Sequence, residues 1–346
     1  MTLSDGGGVA SILAVTLVVA GLSWSLAEGW RRWALRSGVL DQPGHRSSHA
    51  LATPRGAGVG IVAAIVAGAW LSLPPGAARD GVLLSIVAAG VVGLVDDLRP
   101  LAPSVKLSGQ AIAALPLALV LPLPLDALGI DRSLVPFDGV GGHAAAFALA
   151  LLYVNAWNFM DGIDGLAASA AAAVAAGAWW AASAAGAAGP WLAPLLLAAS
   201  VGFLPVNLRR AKAFMGDCGS HALGMGVAAL VLGVDGGEGV WVAVAASGAF
   251  LVDVLGTLVL RVRDGERLST AHRRHLYQLV IRSGYSHARV TTAYAAWMLA
   301  SGGVVAIAQS AGAEGPAAMA ILAVTAVAWM GLVRHFGSVL RSKEGR

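Results

Sequence analysis

Charged side chains are scarce in this sequence: Asp, Glu, Lys and Arg make up 12% of its 346 residues, about half the share of an ordinary soluble domain. So little polar surface cannot cover a globule of this length, which excludes a soluble protein with an Ala-rich core. Cysteine is nearly absent. The one thiol, Cys218, excludes a disulfide framework and a cysteine-based metal cluster, and alone it reads as a small apolar packing residue. A net charge of +4 would hint at nucleic acid in a soluble protein. Here the placement of the charges accounts for it, and no nucleic-acid partner is expected.

What the chain does have is apolar length: 57% hydrophobic residues and a mean hydropathy of +0.74. Runs able to cross a roughly 30 Å hydrocarbon core fall at 8–30, 57–73, 81–98, 106–125, 144–160, 165–185, 190–206, 219–235, 239–261, 290–310 and 316–335. The fold class expected is all-α, a polytopic membrane protein of about eleven transmembrane helices, or ten if one short run does not span. Backbone groups in lipid must be satisfied within each segment, and nothing alternates with the period two of a barrel. The first run lacks a basic leader and a convincing cleavage site, so it reads as a retained span. Residues 1–346 form one integral-membrane domain.

The Lys and Arg count in alternate loops orients the bundle. One set of loops and the C-terminal tail carry 21 of the 23 basic residues, leaving Arg79 and Arg132 to the other. The rich face is expected to be cytoplasmic, with the N-terminus periplasmic and the C-terminus cytoplasmic, in a bacterial inner membrane.

Ionisable residues near membrane depth are costly and default to functional hypotheses. Five clusters stand out, and this topology sends all five to the cytoplasmic face. They lie in loops near 31–56, 96–106, 158–165, 207–219 and 262–289. In the first, Arg46, His49 and Arg55 sit among Gly and Pro, a setting that suits an anion such as phosphate. In the second, Asp96 and Asp97 end an apolar helix. Adjacent carboxylates repel unless a cation or proton intervenes, so the pair can hold Mg²⁺ or supply a general base. In the third, Asn155, Asn158, Asp161 and Asp164 step by three, which places them on one helix face. The fourth, FMGD, opens a span with Asp217 between Gly216 and Gly219, an arrangement that an N-cap alone could explain. The fifth packs His272, Arg273, Arg274 and His275 together, and guanidinium forks suit phosphate oxygens. Carboxylates, Mg²⁺ and arginine together equip phosphoryl transfer on a diphosphate. No zinc spacing, Walker loop or nucleophile elbow is present.

The segments RSSHALATPRG, GLVDDLRPLAPSVKL, NAWNFMDGIDGLA, FMGDCGSHALG and HRRHLYQ, in this order across positions 46 to 278, resemble the polyprenyl-phosphate N-acetylhexosamine-1-phosphate transferases. That superfamily includes phospho-N-acetylmuramoyl-pentapeptide transferase. The resemblance implies transfer of N-acetylhexosamine-1-phosphate from a UDP-N-acetylhexosamine to undecaprenyl phosphate at the lipid bilayer, releasing UMP. It implies Mg²⁺, with Mn²⁺ as a substitute, ligated by Asp217 and by Asn158. Asp96 and Asp97 would serve the acceptor phosphate, Asp97 being the residue expected to remove its proton. Asp161, Asp164 and Asn207 would hold the uridine and metal region, and Phe214 would stack on uracil. His272, Arg273, Arg274 and His275 would line the diphosphate and sugar, with Arg46, His49 and Asn155 also meeting substrate. Attack is expected directly on the β-phosphorus, and a covalent aspartyl intermediate stays open, as does a homodimer.

The sequence departs from the pentapeptide branch in lacking its first-loop lysine, for which Arg55 or His49 would stand in, and in lacking three consecutive histidines at HRRHLYQ. It is more similar to enzymes that initiate O-antigen or related surface glycans. The pentapeptide transferase remains the alternative enzyme. A secondary transporter is the rival from another class, although transporters hold polar groups near mid-bilayer.

Overall fold

The apolar runs fold as expected into helices, and the computed structural model describes residues 6–43, 51–123, 140–186, 191–233, 239–267, 270 and 272–344. The helices are α1 (Gly6–Ser37), α2 (Val59–Ser72), α3 (Ala77–Leu98), α4 (Pro103–Val120), α5 (Val140–Met160) and α6 (Leu166–Ala184). They continue with α7 (Leu192–Asn207), α8 (Gly216–Val231), α9 (Val240–Arg263), α10 (Leu276–Arg282), α11 (His287–Gln309) and α12 (Glu314–Glu344). Each expected span coincides with one of them. The short α10 was not foreseen, because seven residues are too few to carry a helical period. Among the described residues the β-structure is a two-residue antiparallel ladder pairing β1 (Leu40–Asp41) with β2 (Thr53–Pro54).

Among the described residues eight helices are long and apolar enough to cross a membrane: α1, α3, α4, α5, α6, α9, α11 and α12. The chain is an integral multi-pass membrane protein. Besides α10, three described helices are shorter than a full span, α2 with 14 residues and α7 and α8 with 16 each, or roughly 21–24 Å at the rise of a helix. The N-terminal ends of α2 and α8 and the C-terminal end of α7 meet at one end of the bundle.

Setting α10 aside, successive helices alternate in direction. The C-terminal ends of α3, α5, α7 and α9 therefore gather with the N-terminal ends of α4, α6, α8 and α11. Helix α8 is the axis of the bundle, buried along nearly its whole length and packed on α3, α5 and α6. Glycine makes the closest crossing feasible. A Cβ on Gly93 of α3 would come 2.2 Å from the Asp217 backbone carbonyl of α8. Backbones approaching this closely gain packing that replaces the hydrophobic drive missing between helices in lipid. Around α8, helix α1 packs on α2 and α7, and α9 packs on α11 and α12. The core is mainly Ala, Val and Leu, and its largest buried side chains include Trp157, Tyr153, Phe203 and Phe250.

Candidate active site

Four distant stretches of sequence converge where α3, α4 and α8 meet. The strand-like segment after β1 is pinned to the approach of α8 by backbone bonds. Phe214 N–H donates to the Pro54 carbonyl (2.8 Å), while Ala57 and Gly58 donate to Phe214 and Met215 (3.0 Å each). The Trp30 indole adds a bond to the Arg55 carbonyl at 2.8 Å. This delivers the Arg55 side chain to the carboxylates. Its Nε lies 2.6 Å from Asp97 Oδ1, and its Nη2 lies 3.3 Å from Asp217 Oδ1 and 3.8 Å from Asp96 Oδ2. Lys106, from the first turn of α4, bridges Asp217 Oδ2 at 2.6 Å and Asp96 Oδ2 at 2.9 Å. Burial works against the charge of Arg55, but Asp97 and Asp217 outweigh it and hold the guanidinium above its usual value. Three carboxylates face two cations, so the cluster retains an excess negative charge.

The adjacent Asp96 and Asp97 have different surroundings. The Asp97 side chain is wholly buried. Its Oδ1 accepts from Asp217 N–H (2.9 Å) and its Oδ2 from Cys218 N–H (3.0 Å). Helix α8 has no side-chain cap of its own, so a carboxylate from α3 satisfies two of its open N–H groups and lies at the positive end of its dipole. Gly216 makes this feasible: its φ is +69°, and a Cβ there would come 2.3 Å from Asp97 Oδ2. Its two bonds to the start of α8 make Asp97 an anchor of that helix. Asp96 accepts from Leu101 N–H at 2.8 Å, and its other oxygen faces Lys106.

Asn158, at the end of α5, donates to Ser220 Oγ at 3.2 Å, one turn from Asp217. Asp161 is half-buried just beyond it. Burial and the charges of Asp217 and Asp97 push its carboxyl well above the usual range, against the pull of Arg55. No group of three or more His, Cys, Asp or Glu side chains able to hold a metal occurs among the described residues. That does not disqualify Mg²⁺, which keeps waters and takes one or two carboxylates together with substrate phosphates. Hard oxygens, surplus negative charge and a carboxyl held above its usual range fit such an ion.

A cleft of about 530 Å³ opens beside this cluster, lined by Thr53, Asp164, Arg209, Arg210, Phe214 and His287 among others. Asp164 accepts from the backbone N–H groups of Arg210 (3.0 Å) and Ala211 (3.1 Å), and His287 Nδ1 lies 3.2 Å from its other oxygen. Burial opposes its ionisation, yet these partners hold it below the usual carboxylate range. Asn207 is not on the cleft wall. It is buried, accepts from Gly165 N–H and donates to the Ala213 carbonyl, and so it fixes the turn that carries Phe214. Asn155 likewise serves inside the bundle, donating to the Leu151 carbonyl and to Gln110, whose amide meets buried His221 at 3.1 Å.

The Arg–His segment divides. Arg274 is spent on Asp264 (2.5 Å) and Glu266 (2.6 Å). His275 is buried, lies 3.6 Å from Asp253 and ranges its ring against Phe159. Tyr277, which lies within HRRHLYQ, donates to the Phe159 carbonyl at 3.0 Å. Its hydroxyl occupies the space a Cβ on Gly162 would need, 2.0 Å away. His272 and Arg273 stay partly exposed on the same segment. Arg46 and His49 lie outside the described residues. Sequence reading missed Lys106, His221 and His287 as site residues. Lys106 looked like one more orienting cation, and only its place one turn into α4 could have flagged it.

A model of glycosyl transferase family 4 matches residues 80–253. The decaprenyl-phosphate N-acetylglucosaminephosphotransferase of Mycolicibacterium smegmatis is 29% identical over 340 residues, covering 86% of this chain and 83% of that protein. The undecaprenyl-phosphate alpha-N-acetylglucosaminyl 1-phosphate transferase of Salmonella typhimurium is 28% identical over 305 residues, covering 80% and 78%. A probable undecaprenyl-phosphate N-acetylglucosaminyl 1-phosphate transferase of Bacillus subtilis is 27% identical over 272 residues, covering 74% of each.

Proposed function

The chain belongs to glycosyl transferase family 4, and on that premise we propose that it transfers N-acetylglucosamine-1-phosphate from UDP-N-acetylglucosamine to a polyprenyl phosphate at the cytoplasmic face of a bacterial inner membrane. The observation that carries this reading is the convergence of Asp96, Asp217, Arg55 and Lys106 at one end of the bundle, each carboxylate within 3.8 Å of each cation. The named relatives support the sugar and the lipid, and the bias of basic residues supports the orientation.

In this reading a non-bridging oxygen of the lipid phosphate attacks the β-phosphorus of the donor. The bond from that phosphorus to the bridging oxygen breaks, and UMP leaves with the bridge. Arg55 and Lys106, held on carboxylates before substrate arrives, are the cations that meet the phosphates. Asp96 is the general base for a protonated acceptor phosphate, because Asp97 is committed to α8. Asp217, with Asn158 beside it, would hold Mg²⁺, which when bound neutralises charge on the diphosphate. The cleft bearing Phe214 and Asp164 takes the nucleoside.

Purified protein in detergent, given UDP-N-acetylglucosamine and phosphopolyprenol, is expected to release UMP only when the lipid is present and to stop on addition of EDTA. UMP formed without lipid, or none formed with any UDP-N-acetylhexosamine, would overturn this function. Full turnover in chelator would remove the metal from it.

A further inference from the structure

Arg209 and Arg210 are the two non-glycine residues with positive φ among the described residues, at 56° and 71°. A side chain rarely adopts this region, and two in succession concentrate strain that glycine or asparagine would relieve. Such strain persists where the surroundings enforce it and where it serves a purpose. Here the enforcement is visible. The Asp164 carboxylate holds the N–H groups of Arg210 and Ala211, and Lys212 and Ala213 donate back to the Val206 carbonyl. The turn is locked at both ends, and its two guanidinium groups project from it.

Both side chains are exposed, both line the cleft that holds Phe214, and neither makes an ion pair among the described residues. By contrast, Arg55 and Lys106 are committed to carboxylates, Arg261 to Glu266, and Arg274 to Asp264 and Glu266. A topology signal needs the charge but not the strained backbone. Guanidinium offers five donors and no acceptor. A nucleotide offers base carbonyls, ribose oxygens and phosphate oxygens, all acceptors, and a flat ring on which guanidinium stacks. We infer that Arg209 and Arg210 bind the nucleotide half of the donor across the cleft from Phe214. This rests on the cleft being the nucleoside site, as proposed above.

Glycine substitution separates a binding role from a structural one, because Arg→Gly removes the arm and relieves the backbone, whereas Arg→Ala removes the arm and keeps the strain. Titration of UMP alone into the detergent-solubilised full chain reads binding without turnover. Arg209→Gly and Arg210→Gly should each weaken UMP by about 10- to 100-fold, the loss of one or two charge-assisted hydrogen bonds. The same factor should appear in KM for UDP-N-acetylglucosamine. The midpoint of thermal unfolding should hold or rise, and the Ala variants should match in affinity without that rise. Unchanged UMP affinity in well-folded variants overturns the inference. So does a raised KM for phosphopolyprenol with UMP binding intact, which would turn the arms toward the anionic lipid surface. If wild-type protein binds UMP and loses it in these variants but turns over no UDP-sugar, the reaction assigned above fails while the nucleotide contact stands.

Discussion

The carboxylate cluster and the Arg–His segment look alike in sequence, each a dense group of charges flanking an apolar run, yet they resolve their charges in opposite ways. At the cluster most ion pairs are long-range: Arg55 to Asp97 spans 42 residues, Lys106 to Asp217 spans 111, and Arg55 to Asp217 spans 162, with Lys106 to Asp96 the short one. In the segment the pairs are local, with Arg274 reaching back 10 residues to Asp264 and 8 to Glu266, and Arg261 reaching 5 to Glu266. Long-range pairing focuses charge from three helices and a loop onto one point and leaves a net excess for a ligand to answer. Local pairing consumes the charge and stiffens a connection, whose service to the site is then geometric, through Tyr277 and His275.

Substitutions should separate the two regions. The largest effect is expected for Asp217→Asn, which should lower the rate of UMP release by about 10²–10³-fold, the usual loss when one preorganised electrostatic partner is removed. Donor binding measured with Mg²⁺ present should weaken in parallel. A near-normal rate would move the reacting diphosphate away from α8.

Next comes Asp97→Ala. It strips α8 of its borrowed cap and leaves Arg55 facing fewer anions, so unfolding should be easier by about 3 kcal/mol, the lower end for breaking a buried pair. Asp96→Asn should instead keep the unfolding midpoint and lose rate. If the two phenotypes are exchanged, the assignment of anchor and base is reversed.

A smaller effect should follow from Gly162→Ala, which drives a methyl group against the Tyr277 hydroxyl. Turnover should fall while the fold holds, and Gly162→Ala combined with Tyr277→Phe should recover part of it. No recovery would mean that Tyr277 does not transmit the clash.

Arg274→Ala should do least, because its partners are exposed. Stability should change by less than about 1 kcal/mol, and rate by a similarly small factor. A severe rate loss here would make the segment a direct substrate contact after all.

His272 supplies the pH counterpart. Burial, then the charges of His275 and Arg261, lower its pKa from the ordinary 6.5 to about 4. The native state therefore resists protonation where the unfolded chain accepts it, so its contribution to stability falls as pH drops from 6.5 toward 4. Between about pH 6 and pH 8 the ring stays neutral, and His272→Gln should leave the shape of the rate profile unchanged. A lost limb in that window would assign the limb to His272.

Much of this was legible in the sequence because lipid forbids stray charge. An apolar run that ends in Asp96–Asp97 or begins with Asp217 announces a site by contrast, and the alternation of helix directions then forces these ends together. What could not be read was the pairing. Lys106 and Arg55 follow the same bias of basic residues toward one set of loops as Arg36 or Arg99, and one-dimensional counting cannot say which of them folds inward. Asp96 and Asp97 are chemically identical neighbours. Only the one-residue turn of α3 decides that Asp97 meets the N–H groups of α8 while Asp96 faces Lys106. Asn155 and Asn207 match the stripe and motif that suggest ligand contact, but each satisfies backbone groups that would otherwise be buried without partners. Helix α2 is three residues shorter than its apolar run, while α7 and α8 match theirs in length to one residue.

The order in which the clustered charges occur along the chain bears on biogenesis. A ribosome delivers them as Arg55, Asp96, Asp97, Lys106 and Asp217. Summed in that order the accumulated charge runs +1, 0, −1, 0, −1, so no stage of synthesis leaves more than one unmatched charge at this end of the growing bundle. The last to arrive, Asp217, comes 120 residues after Asp97, and it brings the N–H groups that Asp97 requires. Until α8 inserts, the nascent chain has Asp96, Asp97 and both cations but not the residue that joins them, so the cluster is completed late in translation.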